Sequence, residues 1–102
     1  MKSTEKTWWG PIWRGLVSDG EGKHMKIMGN ALWLFVYLVI HADWQTGIIY
    51  RKQATIAIDM GIKLRTVRFW LTVLRKGGYI SIHSTGRASE IEIQKWKPLN
   101  AE

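Results

Sequence analysis

The spacing of apolar residues changes character along the chain. Behind Pro11, which suits the first turn of a helix because its missing N–H is not needed there, Ile12, Trp13, Leu16 and Val17 follow helical spacing. This predicts a short N-terminal helix within residues 7–18, with Trp8 and Trp9 leading into it. Asp19-Gly20-Glu21-Gly22-Lys23 reads as a loop. Ala31-Leu32-Trp33-Leu34-Phe35-Val36-Tyr37-Leu38-Val39-Ile40 is then apolar all round. It predicts a central helix over 30–43, capped by Asn30 and about 20 Å long. A helix without a polar face is covered on most sides, by the rest of the domain or by a second subunit.

After the turn at Asp43 to Gly47, Ile48-Ile49-Tyr50 is a short β-rich run. Arg51 to Met60 returns to helical spacing, with Ile56, Ala57 and Met60 as its inner face, and Gly61 is placed to end it in the left-handed conformation. Three or four residues later a second helical pattern runs from about Leu64 to Lys76, the spacing of a helix-turn-helix over 51–77. Val67, Trp70, Leu71 and Leu74 fall on one side of it, at i, i+3, i+4 and i+7. Arg65, Arg68, Phe69, Thr72 and Lys76 fall on the other. Gly77-Gly78 stops the helix. Tyr79-Ile80-Ser81-Ile82-His83 and Ser89-Glu90-Ile91-Glu92-Ile93-Gln94 alternate with period two, as half-buried strands do. They form a hairpin over 79–95 with its tip at Ser84 to Ala88. A hairpin alone is marginal, and pairing with Ile48-Ile49-Tyr50 makes it a three-stranded sheet.

The expected fold is thus a single α+β domain over 1–102. It is mostly helical, carries a small three-stranded antiparallel sheet, and follows the order of a winged helix-turn-helix. With 102 residues and 46% apolar content the chain suffices for one cored domain. It has no cysteine, which removes disulfide and zinc-thiolate frameworks and fits a reducing cytoplasm. No signal-peptide pattern opens the chain, and the ten-residue apolar run is too short to span a bilayer. A membrane partner is therefore not expected.

Charge adds a direction. The formal net charge is +7, and between Asp59 and Glu90 stand six basic residues (Lys63, Arg65, Arg68, Arg75, Lys76, Arg87) and no acid. A single-sign block on a structured segment attracts phosphate backbones over roughly 8 Å at physiological salt. A helix about 10–12 Å across fits a major groove roughly 12 Å wide. Lys63, Leu64, Arg65, Thr66, Arg68 and Phe69 would lie nearest the bases. Arg65 and Arg68 are the candidates for bidentate contact with guanine, and Thr66 for a phosphate or a thymine methyl. Arg51, Lys52, Thr72, Arg75 and Lys76 suit phosphates. The hairpin tip, with His83, Thr85 and Arg87, could follow the backbone or enter the minor groove.

Ile56-Ala57-Ile58-Asp59-Met60-Gly61-Ile62-Lys63-Leu64-Arg65-Thr66-Val67 resembles the bacterial winged-helix pattern Leu-Ala-x-x-x-Gly-hydrophobic-Ser-x-Arg-Thr-Val. Leu71-x-x-Leu74-x-x-x-Gly78-Tyr79-Ile80 continues it. Trp13-Arg14-Gly15-Leu16, Ala31 to Leu38 and Ile91-Glu92-Ile93-Gln94-Lys95-Trp96 are similar to the N-terminal domain of phage replisome organisers and DnaD-type replication initiators. That resemblance implies double-stranded DNA as partner, in replication initiation or transcriptional control, and a cytoplasmic, nucleoid-associated protein. In that family a C-terminal part contacts other replication proteins, so the chain is expected to be a piece of a longer protein or a free-standing relative. Lys63 departs from the pattern. It stands where a Ser or Thr N-cap is usual, cannot accept the free N–H bonds, and opposes the helix dipole. Ile58 and Phe69 are apolar where solvent is expected.

Catalysis and cofactors have little support. Asp19 and Glu21 sit in a glycine-rich loop, His24, His41 and His83 are too scattered for local metal spacing, and Gly20-x-Gly22 lacks the rest of a phosphate loop. Seven tryptophans could stack on single-stranded bases, but Trp33 and Trp70 are expected on packed faces and Trp96 follows a strand. No enzyme activity, metal or cofactor is expected. Two partner readings stay open beside DNA: a homodimer, and other replication or transcription proteins. The alternative function is a winged-helix protein-interaction module with no specific DNA target.

Overall fold

The computed structural model describes Leu16, Ser18 and residues 20–84 and 88–94. The helix expected at 7–18 lies outside the described residues apart from Leu16, which is buried in the core, and Ser18. Trp8, Trp9 and Trp96 also lie outside them.

The described elements are α1 (Lys23–Met28), a 3₁₀ turn (Gly29–Ala31), α2 (Leu32–His41), β1 (Ile48–Arg51), α3 (Gln53–Met60), α4 (Leu64–Lys76), β2 (Ile80–Ser84) and β3 (Ser89–Ile93). The fold is α+β, helices with one three-stranded antiparallel sheet of order β1-β3-β2, a layout compatible with a winged helix. Ile49 and Ile82 both face Ile91 across β3, and Ile80 faces Ile93. This row of β-branched residues lies on the inner side of the sheet. Tyr50 and His83 flank Glu90 on the other side, and Ile48 and Ser81 flank Glu92. The core gathers Leu34, Phe35 and Leu38 of α2, Ile56 of α3, Val67 and Leu74 of α4 and Ile91 of β3, all essentially without solvent contact.

Two glycines frame α4. Gly61 has φ 68°, and its N–H donates to the Ile58 carbonyl while Ile62 N–H donates to that of Ala57. These paired bonds close α3 and turn the chain directly into α4. At the far end Gly78 has φ 83°, with its own N–H on the Arg75 carbonyl and Tyr79 N–H on that of Leu74. An L-residue pays steric strain in this conformation, and glycine does not.

The N-terminal half differs from the sequence expectation. The helix expected over 30–43 is α2, shorter at both ends, and it is preceded by a further helix, α1, that was not expected. Gly29, with φ 54°, breaks the run between Met28 and Leu32. Asn30 lies inside the 3₁₀ turn and caps nothing. The residues before it form α1, whose Met28 is buried. At the other end Ala42 is extended, and the Asp43 carboxylate accepts from Gln45 N–H at 2.8 Å and Thr46 N–H at 3.3 Å. Asp43 therefore belongs to a turn. Trp33, expected on a packed face, is 68% exposed. Leu34, Phe35, Leu38 and Val39 set the inner side of α2, and at roughly 100° per residue Trp33 points away from their midpoint. Trp70 is partly buried against the core, as expected.

Arg51, expected at the start of a helix, is the last residue of β1, opposite Ser89. Its guanidinium donates to Tyr37 Oη at 2.8 Å and to Asp59 Oδ2 at 3.2 Å, and the Tyr37 hydroxyl donates to the same carboxylate oxygen at 2.6 Å. This brace ties α2, β1 and α3 together. Burial, and then the bond to Asp59, push the Tyr37 phenol up to about 12, against the opposing pull of Arg51.

His41 lies 4.3 Å ring to ring from Tyr37. Burial, and secondarily the positive charge of Arg51, hold its imidazole below the usual range, with Asp59 acting in the opposite sense. The unfolded chain, with its imidazole near 6.5, therefore binds this proton more readily than the fold does. Stability is complete above about pH 6.5 and falls as the pH drops below it, until the folded-state value is passed. His41→Gln is expected to flatten that part of the profile, read as denaturant midpoints between about pH 7.5 and 5. An unchanged slope would locate the titrating group elsewhere.

Candidate nucleic-acid interface

The side chains of α4 sort by the angle they make around its axis. Val67, Leu71 and Leu74 are buried. At roughly 100° per residue, Arg65, Arg68, Phe69, Thr72, Arg75 and Lys76 occupy an arc of about 120° on the opposite side. All are exposed except Thr72, which is half-buried. The expected division of this helix is thus the observed one. Phe69, 65% exposed, sits among the basic residues of the arc. The side chains of Lys63, Arg65, Arg75 and Lys76 have no ion-pair or hydrogen-bond partner among the described residues.

The structure does not bring every expected residue onto this face. Leu64 is half-buried and packs against the core, and Thr66 is half-buried. The Thr72 hydroxyl donates to the Arg68 carbonyl one turn back, at 3.0 Å. Its single proton is therefore already engaged. Arg51 is engaged by Tyr37 and Asp59. Among the hairpin-tip residues, Thr85 and Arg87 lie outside the described residues, and His83 is exposed on the outer side of the sheet.

Both helices of the pair begin on a lysine. Lys63 at the start of α4 has φ −76° and ψ 149°, Lys52 at the start of α3 has φ −70° and ψ 141°, and neither helix has a side-chain cap or an acid in its first turn. Relative to Ser or Asp, each start forgoes about 1 kcal/mol of capping. The departure seen at Lys63 in the sequence is repeated at Lys52, where no motif drew attention to it. The result is two exposed ammonium groups beside two uncapped helix starts.

The sequence reading also missed Gln53 and Ser89. Arg68 Nε donates to Gln53 Oε1 at 3.4 Å, and Gln53 Nε2 donates to Ser89 Oγ at 3.2 Å. Ser89 is 6% exposed, a buried polar residue in an otherwise apolar core. The strand alternation does carry a signal for it, since Ser89 has the same parity as Ile91 and Ile93 and so points inward.

Among the described residues no group of three or more His, Cys, Asp or Glu could hold a metal ion, and no helix is long and apolar enough to cross a membrane. No family model, curated protein or solved structure matches this chain.

Proposed function

We propose that this domain binds duplex DNA by laying α4 in the major groove, with Arg65 and Arg68 toward base edges and Lys63, Arg75, Lys76 and Lys52 on phosphates. The observation that carries the proposal is the exposed arc of α4, four Lys or Arg side chains with no acid, on a helix whose uncapped start is Lys63. Phosphate contacts supply most of the affinity, and base-edge contacts supply discrimination. Such a site serves replication initiation of the phage or plasmid type, or transcriptional control, in a nucleoid-associated cytoplasmic protein. One observation favours protein interaction instead: Phe69 at 65% and Ile58 at 79% exposure are the kind of apolar side chains a partner would cover.

Selection of bound sequences from a random duplex pool separates the two. Enrichment of one site is expected, and a palindromic site would add a two-fold dimer. Against the enriched duplex, Arg65→Ala or Arg68→Ala should leave the fold intact and cost about 1–3 kcal/mol of discrimination at one base pair. Equal loss on every sequence would make that arginine a phosphate contact. No enrichment and no duplex binding at low salt would favour the protein-interaction module.

A further inference from the structure

We propose that Gln53 and Ser89 are positioning residues that pre-orient Arg68 to read a guanine. The proposal rests on the duplex-DNA reading above and assigns specificity to a side chain outside α4. Its basis is the three-element chain from β3 through the first residue of α3 to the exposed face of α4.

Each link constrains the next. Arginine can only donate, so the Gln53 amide must turn its oxygen toward Arg68. The amide nitrogen then faces Ser89, whose buried hydroxyl accepts from it at 3.2 Å. Because Ser89 is held in the sheet opposite Arg51, the amide plane is anchored to a rigid strand. Gln53 takes the Nε–H of Arg68 and leaves both terminal nitrogens of the guanidinium unused by any described side chain. Those two nitrogens form the fork that meets O6 and N7 of guanine in the major groove. Arg65, on the same face, has no such partner among the described residues. The two arginines therefore differ in kind. Arg68 is held ready for a fixed geometry, and Arg65 is free to follow a phosphate or adapt to a base.

Holding a long side chain before binding removes part of the cost of ordering it in the complex, an effect worth about two- to twelvefold in affinity for a single side chain. That gain applies only where the guanine is present. It appears as discrimination and not as general affinity.

The test compares wild type, Gln53→Leu, Gln53→Glu, Arg68→Ala and the double variant Gln53→Leu/Arg68→Ala. Each is titrated against the enriched duplex and all its single-base-pair variants, with thermal melts as the fold control. Gln53→Leu keeps the bulk and removes both bonds. It should lower discrimination about two- to twelvefold at the same base pair that Arg68→Ala affects, leaving affinity for the other duplexes unchanged. In the double variant it should add nothing further at that pair. Gln53→Glu still accepts from Arg68 and can accept from the Ser89 hydroxyl. It should retain discrimination even if its charge weakens binding to all duplexes alike. The proposal is overturned if Gln53→Leu leaves discrimination unchanged or shifts it at a different base pair. It is also overturned if Gln53→Leu weakens every duplex equally, which would make Gln53 a backbone contact. Failure of the wild-type protein to bind any duplex would overturn the DNA reading itself, an outcome distinct from these.

Discussion

Phe35→Ala is expected to cost the domain about 3–5 kcal/mol, the range for emptying a fully buried phenylalanine site. Phe35 has no solvent contact and meets the Tyr79 ring edge-on, with centroids 5.9 Å apart. Tyr79 in turn leads out of α4 into β2, and its hydroxyl is bonded to His24 of α1. Removing the ring therefore opens a cavity where α2 meets the junction of α4 and the sheet. Domains of this size are stable by about 5–15 kcal/mol, and each kcal/mol moves the melting temperature by roughly 4–8 °C. A drop of about 12–40 °C follows. Trp33→Ala is the companion measurement. The indole is the larger side chain, yet it is 68% exposed, and surface changes usually fall within about 0.5 kcal/mol. Equal costs for the two variants would mean that α2 is rotated from the position described.

Lys63→Ala/Arg75→Ala/Lys76→Ala should abolish most of the salt sensitivity of duplex binding while leaving the melting temperature nearly unchanged. All three side chains are exposed and have no partner among the described residues, so little folding energy rests on them. Each phosphate contact contributes about 0.9 to the slope of log K against log salt. With about four contacts the wild-type slope is near −3.6, or about 150-fold between 50 and 200 mM salt. With one contact left the slope is near −0.9, or about 3.5-fold over the same interval. A triple variant with an unchanged slope would move the phosphate contacts off this face of α4.

How far the sequence could be read depended on whether its pattern had a phase. In α4 the apolar set at i, i+3, i+4 and i+7 stands against a basic set, so burial of Val67, Leu71 and Leu74 and exposure of Arg65, Arg68 and Phe69 were legible. Gly61 and Gly78 marked the ends because only left-handed residues close helices in this way, and β2 and β3 announced themselves by alternation. In α2 every position before His41 is apolar, so no direction is privileged and Trp33 could not be placed. The helix α1 has six residues, Lys-His-Met-Lys-Ile-Met, too few for a period to show. Asn30 was read as a cap because its side chain suits one, but positive φ at Gly29 had already set the break. Leu64 was placed near the bases by its position at the start of the helix, and Thr72 was read outward from spacing. Contact with the core draws the first inward, and a backbone carbonyl engages the hydroxyl of the second. The chain from Arg68 through Gln53 to Ser89 was not legible at all. It joins positions 15 and 36 residues apart and exists only once β3 lies beside α3.

The measurement that bears most directly on the proposed function is the affinity of the wild-type protein for its enriched duplex across a salt series from about 50 to 200 mM. Binding through the α4 face predicts a linear fall of log K with log salt at a slope near −3.6. A flat response, or no duplex binding at the lowest salt, would contradict it.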